Sequence, residues 1–265
     1  MEVHIFDVEH GSCNVVIAPS EEIILIDCGH NDTTGWRPSS WVLQNNYEIS
    51  NLTITNTDED HVSDLSNLYR KCNIKSLTRN WNLTVDWIEA SKQEYGMGNG
   101  IKTLVEMIRK FTGPPLETNW GGMRIKRFCH SPEIFQDENS LSLVTFIHYG
   151  GIKIIFPGDL TKEAWELFLR DNDFCNWLKD TNIFIASHHG RQDGYCSDVF
   201  KFCTPSIIII SDMSIKYDTQ LVNYSNYANG ISWNDGSIKK TITTRRNGKI
   251  LIEERNGGFY IETQR

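Results

Sequence analysis

The chain contains no Cys-x-x-Cys pair, and its seven cysteines (Cys13, Cys28, Cys72, Cys129, Cys175, Cys196 and Cys203) are scattered and odd in number, so a disulfide framework is not expected. It has no apolar run approaching the ~20 residues needed to cross a bilayer, and Met1-Glu2-Val3-His4 lacks the basic and apolar regions of a secretory signal. The expectation is a cytoplasmic protein of a reducing compartment, away from the membrane, in which triplets such as Asn51-Leu52-Thr53 carry no glycosylation message. A basic excess is missing too. The net charge of -8 argues against a general nucleic-acid clamp, although not against a nuclease, because a divalent ion supplies local positive charge where a phosphate binds. Gly96-Met97-Gly98-Asn99-Gly100 lacks the Lys-Ser/Thr of a phosphate-binding loop and reads as a hinge or lid. No repeat or low-complexity segment is present.

What the chain does have is core material: 39% hydrophobic residues, 11% aromatics and eight tryptophans, enough for one domain over residues 1–265 with a buried interior or a ring-lined cleft. The first half opens with strand-like Val3 to Val8, Asn14 to Ala18 and Ile23 to Ile26. Val62, Leu65 and Leu68 repeat at helical spacing after His61, and Ile101, Leu104, Val105 and Ile108 do so within a stretch running from Thr84 to Phe111. In the second half Ser142 to Ile147 and Ile152 to Phe156 predict a hairpin turning at Tyr149-Gly150-Gly151, followed by a helix over Thr161 to Arg170. The apolar runs Ile183 to Ala186 and Ile207 to Ile210 read as strands covered on both faces. Lys239 to Thr244 and Lys249 to Glu253 read as a closing hairpin around Arg246-Asn247-Gly248, with Arg245-Arg246 at its solvated tip.

Three loops carry the chemistry. Asn56-Thr57-Asp58-Glu59-Asp60-His61 follows the strand-like run Leu52 to Thr55 and crowds Asp58, Asp60 and His61 into four positions. Phe156-Pro157-Gly158-Asp159 and Ser187-His188-His189-Gly190 each follow an apolar strand. Strand ends of a rigid sheet can aim side chains into a cleft. Carboxylates mixed with imidazoles suit Zn, Mn or Fe in the +2 state better than an all-oxygen calcium site.

The order of these pieces resembles the metallo-β-lactamase superfamily, whose signature is a His-x-His-x-Asp-His loop, a later Gly-Asp and a later His after a strand. The likeness is to the branch containing the metallo-β-lactamase-like domain of the competence DNA-uptake protein, where the second His of the loop is commonly Asp, as at Asp58. Phe6-Asp7-Val8-Glu9-His10-Gly11-Ser12-Cys13, Ile26-Asp27-Cys28-Gly29 and Glu138-Asn139-Ser140-Leu141-Ser142-Leu143-Val144 match the same branch, so the resemblance spans residues 3 to about 212. It implies an α/β fold, the four-layer αββα sandwich, with a metal cleft between the sheets at one edge.

The resemblance further implies a metal site made by Asp60, His61, Asp159 and one of His188 or His189, holding one Zn or Mn ion tightly. A second site would use Asp58 and the position of Asn56, where the family usually has His, and would be weaker because a neutral amide is a poorer ligand. Asn139 also stands where many relatives carry His. Asp58 and Asp60 would then act in catalysis, with Arg191 as a fork for an anionic substrate. Asp7 and Asp27 are expected to hold the metal loop by hydrogen bonds; His10 and His30 could line the cleft, although a lone His beside Gly is usually a loop residue, and His130 and His148 are expected to stand apart. Asp212 and the group Tyr217-Asp218-Thr219-Gln220 fall where that branch carries a substrate-side loop. The expected activity is metal-dependent hydrolysis, first of a phosphodiester in a nucleic acid or small nucleotide. Hydrolysis of an amide, thioester or lactone, or a regulatory module with a degraded second site, are the alternatives.

Overall fold

Alternation within the apolar strands sets the layers. The computed structural model describes residues 1–113, 117–213, 219–233 and 235–265. In chain order the elements of the first half are β1 (Glu2–Ile5), β2 (Asn14–Ile17), β3 (Ile23–Ile26), α1 (Pro38–Gln44), β4 (Ile49–Thr53), α2 (Glu59–Val62), α3 (Leu65–Lys71), β5 (Leu77–Thr78), α4 (Val85–Ser91) and α5 (Asn99–Lys110). The second half supplies β6 (Arg124–Phe128), β7 (Val144–Tyr149), β8 (Ile152–Phe156), α6 (Lys162–Phe168), α7 (Asn172–Leu178), β9 (Ile183–Ile185), β10 (Ile207–Ile210), α8 (Leu221–Ser225), β11 (Ile231–Ser232), β12 (Ile238–Lys239), β13 (Thr241–Thr243), α9 (Thr244–Asn247), β14 (Ile250–Arg255) and β15 (Gly258–Thr263).

One sheet has the order β15-β14-β1-β2-β3-β4-β5 and the other β13-β10-β9-β8-β7-β6. Successive strand residues point to opposite faces. Val16, Ile24 and Ile26 of the first sheet therefore meet Ile154, Phe156, Ile183, Ile185, Ile207 and Ile209 of the second in a dry central core. Their neighbours Val15, Ile23 and Leu25 face outward onto Val42, Val62, Leu65, Leu68, Leu104 and Met107 of the first set of helices. On the far side Phe146, Ile155, Phe184 and Ile208 pack against Ala164, Trp165, Phe168 and Phe174. The result is helices, sheet, sheet, helices. Trp165 is the tryptophan that fills this outer core, whereas Trp81 is exposed. No helix among the described residues is long and apolar enough to cross a membrane.

Most expected elements appear, with shifts that have local causes. The helix after His61 is split into α2 and α3. The β7–β8 hairpin forms as read, but β7 starts at Val144 because the Leu143 N–H donates to the Thr55 carbonyl at 2.7 Å. The closing hairpin over 239–253 does not form. Strand β13 pairs in parallel with β10 in one sheet, β14 pairs with β1 and β15 in the other, and α9 joins them. Arg245 and Arg246 thus lie on a helical turn, and Arg245 sits 3.3 Å from the buried Asp212 carboxylate rather than at a hairpin tip. The true terminal hairpin is β14–β15.

The glycine segment before α5 is a docking point. The carboxylate of Glu59 accepts the N–H groups of Gly100 and Ile101 at 2.8 and 3.2 Å, an acidic partner at a helix start. A Cβ on Gly100 would stand 2.2 Å from the Val62 carbonyl oxygen. Gly100→Ala is expected to lower stability by about 1–3 kcal/mol, measured by urea unfolding; an unchanged midpoint would mean α5 can shift freely on α2.

Candidate metal centre

The functional loops all leave the carboxyl ends of strands along one edge, where the parallel pairs β3–β4 and β8–β9–β10 deliver them together. The loop after β4 is clamped from both sides. The Cys28 N–H donates to the His61 carbonyl at 2.7 Å, and the Asp64 N–H donates to the Cys28 carbonyl at 3.0 Å. The Asp60 carbonyl is wedged between Gly11 and Gly29, where a Cβ would come within 2.5 and 2.4 Å of it. That close approach is the physical reason for glycine in both N-terminal segments. Asp159 is held by a bond from its N–H to Ser142 Oγ at 3.1 Å, and the following strand-end loop by the His188 N–H on the Gly158 carbonyl.

Four side chains converge. Asp60, His61, Asp159 and His189 each offer one ligand atom, all within 4.8 Å of one another. His61 Nε2 lies 3.1 Å from Asp159 Oδ1, and His189 Nε2 lies 3.4 Å from Asp60 Oδ2 and 3.5 Å from Asp159 Oδ2. Both Nε2 atoms are buried and face these carboxylates. Their Nδ1 atoms are engaged elsewhere: His61 with Asp27 Oδ2 at 2.9 Å, and His189 with the Ser211 carbonyl at 3.1 Å. This fixes the tautomer that leaves each Nε2 lone pair facing the cluster. Four ligand atoms about 2.1 Å from a tetrahedral ion would stand about 3.4 Å apart, close to the spacing seen. A separate cavity of about 20 Å³, lined by Asp27, Thr55, His61, Asp159 and His189 but not by Asp60, adjoins the cluster and has room for about one water. The residues therefore fit a single divalent metal ion.

Electrostatics point the same way. Burial disfavours charge on His189, but Asp159 and Asp60 outweigh it and lift the imidazole to about 9. His61, between Asp159 and Asp27, is likewise raised well above its ordinary value against the cost of burial. Asp60 is brought down to about 2 by His189 and His61 despite its burial. Protons on the imidazoles thus balance the carboxylates until a cation displaces them.

Of the two adjacent histidines, His189 joins the cluster and His188 does not. Both have left-handed backbones, with φ of 53° and 47°, a conformation that costs energy in non-glycine residues and turns successive side chains in different directions. His188 Nε2 is 3.8 Å from Asp159 but accepts a bond from Arg191 at 3.0 Å, while its Nδ1 faces Asp193 at 2.9 Å. Asp58 and Asn56 stand outside the cluster as well. The Asp58 carboxylate is bound by Lys92, and the Asn56 amide bonds Asn139 Oδ1 at 2.7 Å while its oxygen accepts the Asp58 N–H at 3.1 Å. Arg191 donates to His188 and His10 at the rim.

His10, a possible cleft-lining residue with a plain loop role as the alternative, is part of the rim: its Nε2 is 3.5 Å from Asp60 and its ring centroid 4.3 Å from that of His189. Burial and the neighbouring His189 hold it down at about 4. Its place next to Gly11, which touches the Asp60 carbonyl, was the one local clue. Asp27 has the role expected of it, accepting the Thr55 N–H at 2.7 Å and the Thr55 hydroxyl at 2.6 Å as well as His61. Asp7 instead bonds the Glu9 N–H at 3.4 Å and faces Arg265. His30 bonds Ser63 and Asp32 on the cleft wall, His130 stacks on Phe168 in the core, and His148 pairs with Arg124. Asp212 is buried beside Arg245, and burial raises it to about 6. Tyr217 and Asp218 lie outside the described residues. In front of the cluster opens a cleft of about 990 Å³ whose wall includes His10, His30, Arg37, Glu59, Asp60 and Arg70.

No protein-family model matches the sequence, and no curated protein matches it. Among solved structures, a Parabacteroides distasonis protein provisionally assigned as a metal-dependent hydrolase superposes with a TM-score of 0.51 at 11% identity, over 90% of this chain and 91% of that one. The chain has the metallo-β-lactamase fold. The metallo-β-lactamase fold protein YhfI from Bacillus subtilis gives a TM-score of 0.48 at 9% identity over 98% of this chain and 99% of that one. A diphosphatase of the PhnP family gives 0.45 at 8% over 95% and 97%. In metallo-β-lactamase-fold terms, the second half of the sandwich contributes Asp159 and His189, and the first contributes Asp60 and His61.

The raised His189 value sets a pH test. Because it rises from 6.5 to about 9 on folding, this group's contribution to the metal-free protein is present below about 6.5 and is lost as pH climbs through about 9. Urea unfolding of metal-free protein should show stability falling across that window, and zinc affinity should rise over it as the proton is displaced. A flat profile in both would place the imidazole away from the two carboxylates.

Proposed function

We propose that this protein is a metal-dependent hydrolase holding one Zn or Mn ion with Asp60, His61, Asp159 and His189, and that its substrate is a phosphodiester in a nucleic acid or small nucleotide. The observation that carries the hydrolase reading is the convergence of two buried Nε2 atoms and two carboxylates, all within 4.8 Å of one another, at one cleft. When bound, such an ion polarises the scissile oxygen and makes a water molecule more acidic. The chain's own residues do the rest. Asp27 and the Ser211 carbonyl hold the imidazoles in register. Arg191 keeps a guanidinium beside the cluster, which suits an anionic substrate; along the cleft wall Arg70 and Arg37, the latter paired with Asp64, face Glu9, Asp32, Glu59 and Asp60, whose charge a bound cation would offset. An apolar cleft would have favoured an amide, thioester or lactone.

The test is a metal-stripped protein reloaded with Zn or Mn and offered a simple aryl phosphodiester, single-stranded DNA, RNA, a cyclic dinucleotide and an aryl ester. Phosphodiester cleavage should vanish with chelator and return with metal; cleavage of esters alone would sink the substrate assignment. Asp60→Ala and His61→Ala should lose bound metal while His130→Ala keeps it, and equal loss in all three would mean unfolding rather than ligand loss. Asp27→Asn should weaken metal binding by about 10–100-fold, as expected for a residue that orients a ligand. Arg191→Ala should raise KM more than it lowers kcat.

A further inference from the structure

Next to the cluster lies a second group of carboxylates with a different occupant. Lys92, the residue that ends α4, is only 8% exposed, an unusual place for an ammonium. Its Nζ contacts both Asp58 and Glu138. Glu138 also accepts the Ser91 hydroxyl at 2.7 Å. The amides beside them are closed on each other, Asn56 donating to Asn139 at 2.7 Å. Asp58 is two residues from Asp60, and Asn139 opens the segment whose Ser142 hydroxyl holds the Asp159 N–H. A cation therefore already sits between two carboxylates in the shell adjoining the candidate metal centre, and it belongs to the chain.

We propose that the Lys92 ammonium is a tethered cation filling the position between Asp58 and Glu138 that would otherwise take a second divalent ion, and that it limits the protein to one metal ion per chain. This rests on the reading of Asp60, His61, Asp159 and His189 as the site of that one ion. The assignment accounts for the departure at Asn56. A position whose cation is an ammonium needs hydrogen-bond acceptors and no imidazole lone pair, and the Asp58 and Glu138 oxygens on Lys92 Nζ are such acceptors. It also names the ion the emptied position would prefer. Asp58 and Glu138 offer oxygen donors alone, a set suited to Mn over Zn.

The experiment is metal counting by elemental analysis after equilibrium dialysis against Mn, with thermal melts in parallel. Wild type should hold one equivalent, and so should Asp58→Asn and Asn56→His, since the ammonium remains. Lys92→Ala should hold two, with a melting temperature that rises saturably with Mn, and Lys92→Ala combined with Asp58→Asn should return to one. If Lys92→Ala is unfolded in chelator, Mn must restore its cooperative melt. Two equivalents in wild type falling to one in Asp58→Asn, or a Lys92→Ala variant that stays at one or is not rescued by Mn, overturns the proposal. Zero equivalents in wild type would sink the reading of the four-residue centre instead, and the gain of one equivalent in Lys92→Ala would still report on Lys92.

Discussion

The carboxylate of Asp27 is the constraint on which the site depends. It is fully buried at the end of β3, with a left-handed backbone at φ 59°. It receives the Thr55 N–H, the Thr55 hydroxyl and His61 Nδ1, while its own N–H reaches the Thr53 carbonyl at 2.8 Å. A buried carboxylate left without such partners would be costly. With them it stitches β3 to the loop after β4 and decides which nitrogen of His61 is free. Every later feature of the centre assumes that Nε2, and not Nδ1, faces Asp159.

The sheets make this local arrangement reproducible. Their shared core is composed of branched aliphatic side chains from both halves, and interiors so packed resist small displacements. Loops anchored at the strand ends inherit that rigidity. Two histidines in left-handed conformations and two glycines pressed against the Asp60 carbonyl mark where backbone freedom has been given up for side-chain placement.

Electrostatically the molecule solves the same problem twice, a few residues apart. Asp60 and Asp159 are balanced by imidazoles, whose protons a binding metal would displace into solvent. Asp58 and Glu138 meet the one charge of Lys92, which they raise above its usual range against the cost of burial, and Glu138, pushed up to about 7 by burial and by Asp58, relieves the remaining charge by taking a proton. At the cleft the guanidinium groups of Arg37, Arg70 and Arg191 stand among the carboxylates of Glu9, Asp32, Glu59 and Asp60, while His10 stays neutral.

The apolar strands, the loops that end them and the crowding of Asp60 and His61 were legible in the sequence, because alternation and turn residues are local properties read a few positions at a time. So was a structural role for Asp27 at a strand end. The sequence could not say that residues 239 to 253 divide between two sheets, since strand character does not name a strand's partner. Nor could it choose His189 over His188, which depended on two backbone torsions, or bring His10 to His189 and Lys92 to Glu138 across sequence separations of 179 and 46. Those choices belong to the tertiary structure alone: a ligand set is a distance relation among distant residues, and only the packed sheets fix such distances.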